Sequence, residues 1–223
     1  PIAAIGVAWF AWFATQAAPA IAADTRYPSA GDCAGLPKIR LVTPAGWCVG
    51  LVAQGLRFPR GIEVLPNGDL IVAEIGAWTP HRGRLSILRK ARQYARETLF
   101  DGLDRPHGVT TGPDKRVYVG VAGGVFRFDP AHLAREDVIG GTSGVAALPA
   151  TGRHPLVALV FDRNGDLYVN VGSHSDNCEG DKNALPDPAK PCAETEGANA
   201  RGVIRKYAMR WPQGTVNGMA VHA

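Results

Sequence analysis

An all-β chain of β-propeller type, carrying three blades and the start of a fourth, is what three features of this sequence predict. The first is a repeated strand–turn–strand unit. Gly61-Ile62-Glu63-Val64-Leu65-Pro66-Asn67-Gly68-Asp69-Leu70-Ile71-Val72 has the layout of the segment from Gly108 to Val119, and of the segment from Ala158 to Val169. A fourth match begins at Gly218-Met219-Ala220-Val221-His222. The aligned positions 61, 108, 158 and 218 are 47, 50 and 60 residues apart, and a period near 50 with several short strands per repeat is the signature of propeller blades. The second feature is turn chemistry between apolar runs: Asn67-Gly68 and Asn164-Gly165 suit the positive φ of tight hairpins. The third is composition, with 46% apolar residues, 27 Gly and 17 Pro in 223 residues, which supports one large β domain with many turns.

In chain order, residues 1–23 carry no charge and hold an apolar stretch centred on Trp9, Phe10, Trp12 and Phe13. Ala20-Ile21-Ala22 before Ala23-Asp24 fits a small-x-small cleavage site, so 1–23 reads as a signal peptide whose basic start is missing; a retained membrane anchor is the alternative. Either one exports the rest, to a periplasmic or secreted location. Residues 24–54 form an N-terminal segment. Its Cys33 and Cys48, like Cys178 and Cys192 further on, lie close in sequence, and an even count in two local pairs predicts two disulfides. A strand is expected over 47–56. From residue 55 the partial propeller runs to 223. Its first blade has strands near 62–65, 70–74, 84–88 and 94–100. The second has strands near 109–111, 117–121 and 125–128, with a helical turn around 131–137. In the third, strands at 156–161 and 167–171 precede a long polar loop over 173–200, and a strand resumes at 202–207. An unclosed ring leaves edge strands unpaired, so a 223-residue product is expected to be poorly soluble and inactive on its own.

The net charge is +4, with Lys and Arg scattered among acidic residues. That is a solvated surface and not the clustered basic stripe of a nucleic-acid partner. The turn Asp162-Arg163-Asn164-Gly165-Asp166 superficially suggests calcium, but it lacks the later Glu of an EF-hand and a hairpin explains it.

Alternating strand direction gathers the starts of first strands and the loops joining second to third strands on one face. Arg60, His107 and His154 each stand just before a first strand, and loops 75–83 (with Trp78 and His81) and 173–200 open on the same side. In a propeller the first strands line the central channel, so these side chains should converge near its mouth. Each has a simpler reading: His154 as a turn residue, His107 as a hydrogen-bond partner of a neighbouring loop, Arg60 as a surface residue, Glu74 and Asp176 as solvated or capping carboxylates. His174 and His222 receive no role.

Phe58-Pro59-Arg60-Gly61 with 70–74, Arg84-Leu85, the His154 segment, Val171-Gly172-Ser173 and Val203-Ile204-Arg205-Lys206-Tyr207 resemble, in that order, the glucose/sorbosone dehydrogenase family, and within it the sorbosone-dehydrogenase-like subgroup. The resemblance covers roughly 54–223. It implies a six-bladed propeller that oxidises an aldose or related sugar aldehyde or alcohol, using pyrroloquinoline quinone (PQQ) and calcium, with electrons passed to an external acceptor such as a quinone or cytochrome. It implies His154 as general base. Glucose-type relatives orient that base with an Asp where this chain has Ser173, and Asp176 is positioned to substitute. Arg60 and His107, on the gathering face, are the nearby cofactor-binding candidates. Arg210-Trp211-Pro212-Gln213-Gly214 is similar to a family segment opening the fourth blade, which implies cofactor-binding roles for Arg210 and Gln213, or for Asn217 in another alignment. The family's calcium ligands lie in later blades, so no metal ligand is assigned, and no membrane span remains after processing.

Two other functions fit a propeller. A gluconolactonase-type lactonase would need a Glu, an Asn and an Asp around a channel metal, for which Glu74 is the one candidate. A non-catalytic propeller would bind a protein or glycan on its loop face.

Overall fold

The computed structural model describes residues 27–178, 187, 189–195 and 199–222. The expected signal peptide lies outside them. Among the described residues no helix is long and apolar enough to cross a membrane.

A short hairpin, β1 (Ser29–Cys33) and β2 (Leu36–Ile39), comes first. Three antiparallel four-stranded sheets follow, each ordered as the chain runs. Blade 1 is β3 (Pro59–Val64), β4 (Leu70–Glu74), β5 (Gly83–Arg89) and β6 (Ala95–Leu103). Blade 2 is β7 (Val109–Thr111), β8 (Val117–Val121), β9 (Gly124–Asp129) and β10 (His132–Ile139). Blade 3 is β11 (Leu159–Phe161), β12 (Leu167–Val171), β13 (Val203–Arg210) and β14 (Thr215–His222). The innermost strands stand side by side, β7 between β3 and β11. Among the described residues the blades do not close into a ring, and the architecture is that of a partial β-propeller.

The burial pattern of β8 shows how the blades stack. All five of its residues are buried, because both faces of blade 2 are covered. Val117, Val119 and Val121 point into the core shared with Ile71, Leu85 and Ile87 of blade 1, where Phe100 packs edge-on to Phe126 and Phe128. Tyr118 points the other way, into the core shared with Leu167, Val169, Val171, Val203 and Tyr207 of blade 3. β12 is buried only at alternate residues, and its outer face carries Tyr168 beside the exposed Val160 and Ile204.

Glycines make the close approach between neighbouring inner strands. A Cβ on Gly61 would lie 2.2 Å from the His107 carbonyl oxygen, and one on Gly108 would lie 2.8 Å from Val157 O, Ala158 Cα and Leu159 Cδ2 alike. This is the physical content of the repeat positions 61 and 108. Gly108→Ala should cost about 1–3 kcal/mol by overpacking; a melting temperature equal to wild type would show that the strands have slack.

Four expectations change. The predicted strand over 47–56 is absent. Gly50 makes a single bridge to Lys38, flanked by the Ile39 N–H to Val49 carbonyl bond (2.8 Å) and the Leu51 N–H to Pro37 carbonyl bond (2.8 Å), so this stretch extends the N-terminal hairpin. The predicted helical turn near 131–137 is strand β10, where pairing with β9 overrides local helix propensity. The first strand of blade 3 is shorter than 156–161. Finally, the segment at Gly218 does not open a fourth blade: Met219 pairs with Tyr207 and Gly218 with Ala208, so β14 completes the third. The tight turn 211–214 turns the chain back onto β13.

Both expected disulfides are present, Cys33–Cys48 and Cys178–Cys192, with Cα–Cα distances of 5.8 and 5.9 Å.

Candidate functional site

His154 precedes β11, and the loop after β12 leaves the same end of blade 3. The two are tied by backbone: the Arg153 N–H donates to the His174 carbonyl at 2.8 Å. Gly172 allows the approach, since a Cβ there would lie 1.9 Å from the His154 carbonyl oxygen. Gly172→Ala should therefore push the two segments apart. Its signature is a loss of turnover larger than its loss of melting temperature; parallel losses would make Gly172 a packing residue only.

This juxtaposition brings Asp176 to the histidine. His154 Nε2 lies 2.7 Å from Asp176 Oδ1, and Arg153 Nη1 pairs with Asp176 Oδ2. The hydrogen bond with His154, then that with Arg153, holds the Asp176 carboxyl below its usual range. An ionised carboxylate only accepts hydrogen bonds, so Nε2 carries the hydrogen, and in the neutral imidazole the lone pair stands on Nδ1. About half of each side chain in the His154–Asp176 pair is exposed, so both can be reached from solvent.

Ser173 is not the partner of His154. Its hydroxyl donates to the Ser175 carbonyl at 2.8 Å and folds into its own loop. Ser173→Ala should leave the His154–Asp176 pair in place and lower turnover less than about tenfold; a larger loss would restore Ser173 as an orienting residue.

Arg60, the second residue of β3, and His107, just before β7, lie near each other on the same face. The Arg60 guanidinium sits 5.7 Å from the Trp78 ring centroid, and Trp78 is exposed. Burial, then the nearby Arg60 charge, pushes the His107 imidazole below its ordinary pKa against the pull of the Val157 carbonyl. His107 Nδ1 is buried and makes no hydrogen bond of good geometry among the described residues. Such an orphaned atom beside a cation suits an anionic, hydrogen-bonding ligand.

Arg210, Gln213 and Asn217 lie at the other end of blade 3. The turn 211–214 packs on the β11–β12 turn, where Trp211 Nε1 donates to the Gly165 carbonyl at 3.1 Å. Arg210 Nη2 reaches Asn217 Oδ1 at 2.5 Å across the base of that turn. The Gln213 carbonyl accepts from Arg127 of blade 2 at 2.7 Å, and Trp211 stacks edge-on to Phe161. These three expected cofactor residues are not brought together with His154. Their segment is a clamp between blades, because the strand after it is the outer one of blade 3 and not the inner strand of a fourth.

Glu74 also differs from expectation. It is fully buried and not solvated. Ser86 Oγ donates to Oε1 at 2.6 Å, the Arg57 N–H to Oε2 at 2.5 Å, and Arg84 Nε to Oε1 at 3.2 Å. A carboxylate so occupied is not offered to a channel metal. The turn at 162–166 is a hairpin whose carboxylates are used internally: Asp162 Oδ1 accepts from the Asn164 and Asp166 N–H groups, and Asp166 pairs with Lys206 at 2.9 Å. Among the described residues the one grouping of potential metal ligands is Cys178, Cys192 and Glu194, whose cysteines are bonded to each other.

Arg153, Glu194 and Arg201 were not found by sequence reasoning. Arg201 Nη1 meets His174 Nδ1 at 2.8 Å and the Thr151 carbonyl at 2.9 Å, so His174 belongs to the loop's scaffold. Arg153, adjacent to the candidate base, was the one signal available.

No family model matches this chain, and no curated protein matches it. Solved structures do. The holo form of the PQQ domain of a pyranose dehydrogenase from Coprinopsis cinerea superposes with a TM-score of 0.54 at 22% identity, over 82% of this chain and 42% of that one. An auxiliary nutrient binding protein from Bacteroides ovatus gives 0.52 at 11% identity, over 79% and 34%. An aldose sugar dehydrogenase from Streptomyces coelicolor, in its PQQ-bound form, gives 0.45 at 20%, over 74% and 51%. At these identities the likeness is one of fold. The chain spans less than half the length of the first two.

Proposed function

We propose that this chain forms part of a PQQ-dependent sugar dehydrogenase, oxidising an aldose or related sugar aldehyde or alcohol and passing the electrons to an external acceptor. The observation that carries the reading is the His154–Asp176 pair, 2.7 Å apart at the start of an inner strand. Oxidation of a C–OH group needs the hydroxyl proton removed as hydride leaves the same carbon, and a neutral imidazole is suited to the task. His154 Nδ1 takes that proton. The imidazolium that results is stabilised by the Asp176 charge, and Arg153 keeps the carboxylate in place and ionised. Asp176 thus supplies from three residues downstream what glucose-type relatives place at position 173.

When bound, the quinone supplies the hydride acceptor. Arg60 and His107 are the residues of this chain that would hold it: a guanidinium for a carboxylate of the cofactor, and the buried Nδ1 for a hydrogen bond. Calcium ligands are not assigned. The two disulfides fit the periplasmic or secreted location that the first 23 residues suggest.

The lactonase reading loses its one candidate ligand, since Glu74 is buried and occupied. A binding propeller remains the competing class, and the nutrient binding protein shares the fold. The protein expressed from its complete gene, reconstituted with PQQ and calcium, should reduce a dye when given members of an aldose panel. Lactone hydrolysis dependent on a divalent metal, or sugar binding without dye reduction, would assign it elsewhere.

A further inference from the structure

The geometry points to Glu194 as a positioning residue that holds Asp176 against His154; the inference rests on the reading of that pair given above. Glu194 lies in a short 3₁₀ turn, Ala193–Thr195, far along the loop from the residues it serves. Its Oε2 accepts the N–H of His174 and, at 3.2 Å, the N–H of Ser175; its Oε1 accepts the Ser175 hydroxyl. One carboxylate therefore takes three donors from two consecutive residues, and Asp176 is the next in the chain.

The rest of the loop leaves Asp176 little room to shift. Ser175 is buried, and its carbonyl accepts the Ser173 hydroxyl. The carbonyl of His174 accepts the Arg153 N–H beside the base, and Arg201 Nη1 holds the His174 ring. On the Glu194 side the Arg201 N–H donates to the Glu194 carbonyl at 2.6 Å, and the Thr195 N–H to the Cys192 carbonyl at 3.0 Å. The Cys178–Cys192 bond joins the two stretches covalently, two residues beyond Asp176 and two before Glu194. Burial works against the Glu194 carboxylate, but the hydrogen bonds from Ser175 and His174 outweigh it and keep it ionised. A charged acceptor binding two backbone N–H groups is among the stronger hydrogen-bonding arrangements, so the loop that presents Asp176 is clamped at both ends. The segment 173–178 is thereby held in place, as a preorganised base requires.

The test reads His154 directly and needs no turnover. Diethylpyrocarbonate acylates accessible imidazole nitrogens, and peptide mapping by mass spectrometry gives a rate for each histidine. His154, with its Nε2–H held by the Asp176 carboxylate and its exposed Nδ1 made more nucleophilic by that charge, should react faster in the wild-type chain than the exposed His132, which serves as internal reference. Asp176→Asn should lower the His154 rate several-fold relative to His132. Glu194→Ala should do nearly the same, with Glu194→Gln, which keeps the shape and one good acceptor, in between. If Asp176→Asn lowers the rate and neither Glu194 variant does, the positioning role is wrong and the pair stands. If Asp176→Asn itself has no effect, the His154–Asp176 pair is wrong, and the Glu194 proposal falls with it. Should the alanine variant change His107 and His154 alike, the glutamine variant decides: a selective fall at His154 supports the role, and no selective fall overturns it.

Discussion

Replacing His154 by Ala should lower turnover by roughly 100- to 10,000-fold, the usual contribution of a general base, while cofactor loading and melting temperature stay close to wild type. The small stability effect follows from position. About half of the side chain is exposed, and its side-chain partner is the equally exposed Asp176; a surface pair of this kind contributes about 0–1 kcal/mol. His107→Ala should behave differently. It removes a candidate cofactor contact and not the proposed base, so cofactor affinity should fall more than turnover at saturation. The measurement is steady-state dye reduction at saturating cofactor, beside a cofactor titration. Near-wild-type turnover of the loaded His154→Ala protein would remove His154 from the chemistry.

The largest stability effect is expected far from that site, at Arg127. Its guanidinium is buried between blades 2 and 3, where Nη1 meets Asp114 Oδ2 at 3.0 Å and the Tyr118 hydroxyl at 3.1 Å. Nη2 meets Glu136 Oε2 at 2.9 Å and the Gln213 carbonyl at 2.7 Å. Gly214 is required beside it, since a Cβ there would lie 1.7 Å from Nη1. Arg127→Met removes one charge, leaving the nearly buried Asp114 carboxylate without its countercharge and the Gln213 carbonyl without its donor. Breaking a buried pair in this way costs about 3–5 kcal/mol, or roughly 10 °C in melting temperature for a domain of this size. Arg210→Ala, which removes an exposed pair with Asn217, should cost less than about 1 kcal/mol. Equal melting temperatures for the two variants would refute the clamp.

The same cluster sets an acid limit. Burial opposes the Glu136 carboxylate, but hydrogen bonds from Arg127 and Arg116 prevail and hold its pKa below the usual range. A group depressed on folding contributes its stability above its unfolded pKa of about 4 and loses it as pH falls through the lower folded value. Melting temperature should therefore decline below about pH 4 in the wild type, and less steeply in Arg127→Met. Parallel declines would place the acid sensitivity elsewhere.

Much of the fold was legible because its causes are local. The Asn-Gly turns at 67–68 and 164–165 have Gly φ values of 82° and 85°, and the β-branched runs around them became β4 and β12. What was misread depends on partners distant in sequence. Residues 131–137 have the local preferences of a helix and are a strand only because β9 lies alongside. The segment at 218 satisfies the repeat's first few positions, yet an outer strand meets the same alternation, and the turn at 211–214 decides between them.

The site divides in the same way. His154 and the loop after β12 were placed on one end by strand direction alone, and Asp176 was named as the substitute for a missing carboxylate. The sequence could not show that Ser173 turns into its own loop. Glu194 was hidden for the same reason, since its role comes from a contact across some twenty residues of loop. Arg210, Gln213 and Asn217 were suggested by a short motif whose surroundings differ, and motif likeness carries no information on which end of a blade a turn occupies.

The orientation of His154 by Asp176 is measured most directly by turnover of the cofactor-loaded Asp176→Asn protein beside Ser173→Ala. An amide at 176 keeps the shape of the side chain but removes the charge that fixes the tautomer and stabilises the imidazolium, so dye reduction with the best aldose should fall by roughly 10- to 100-fold, with Ser173→Ala close to wild type. A loaded Asp176→Asn protein that turns over like wild type, with Ser173→Ala impaired instead, would contradict it.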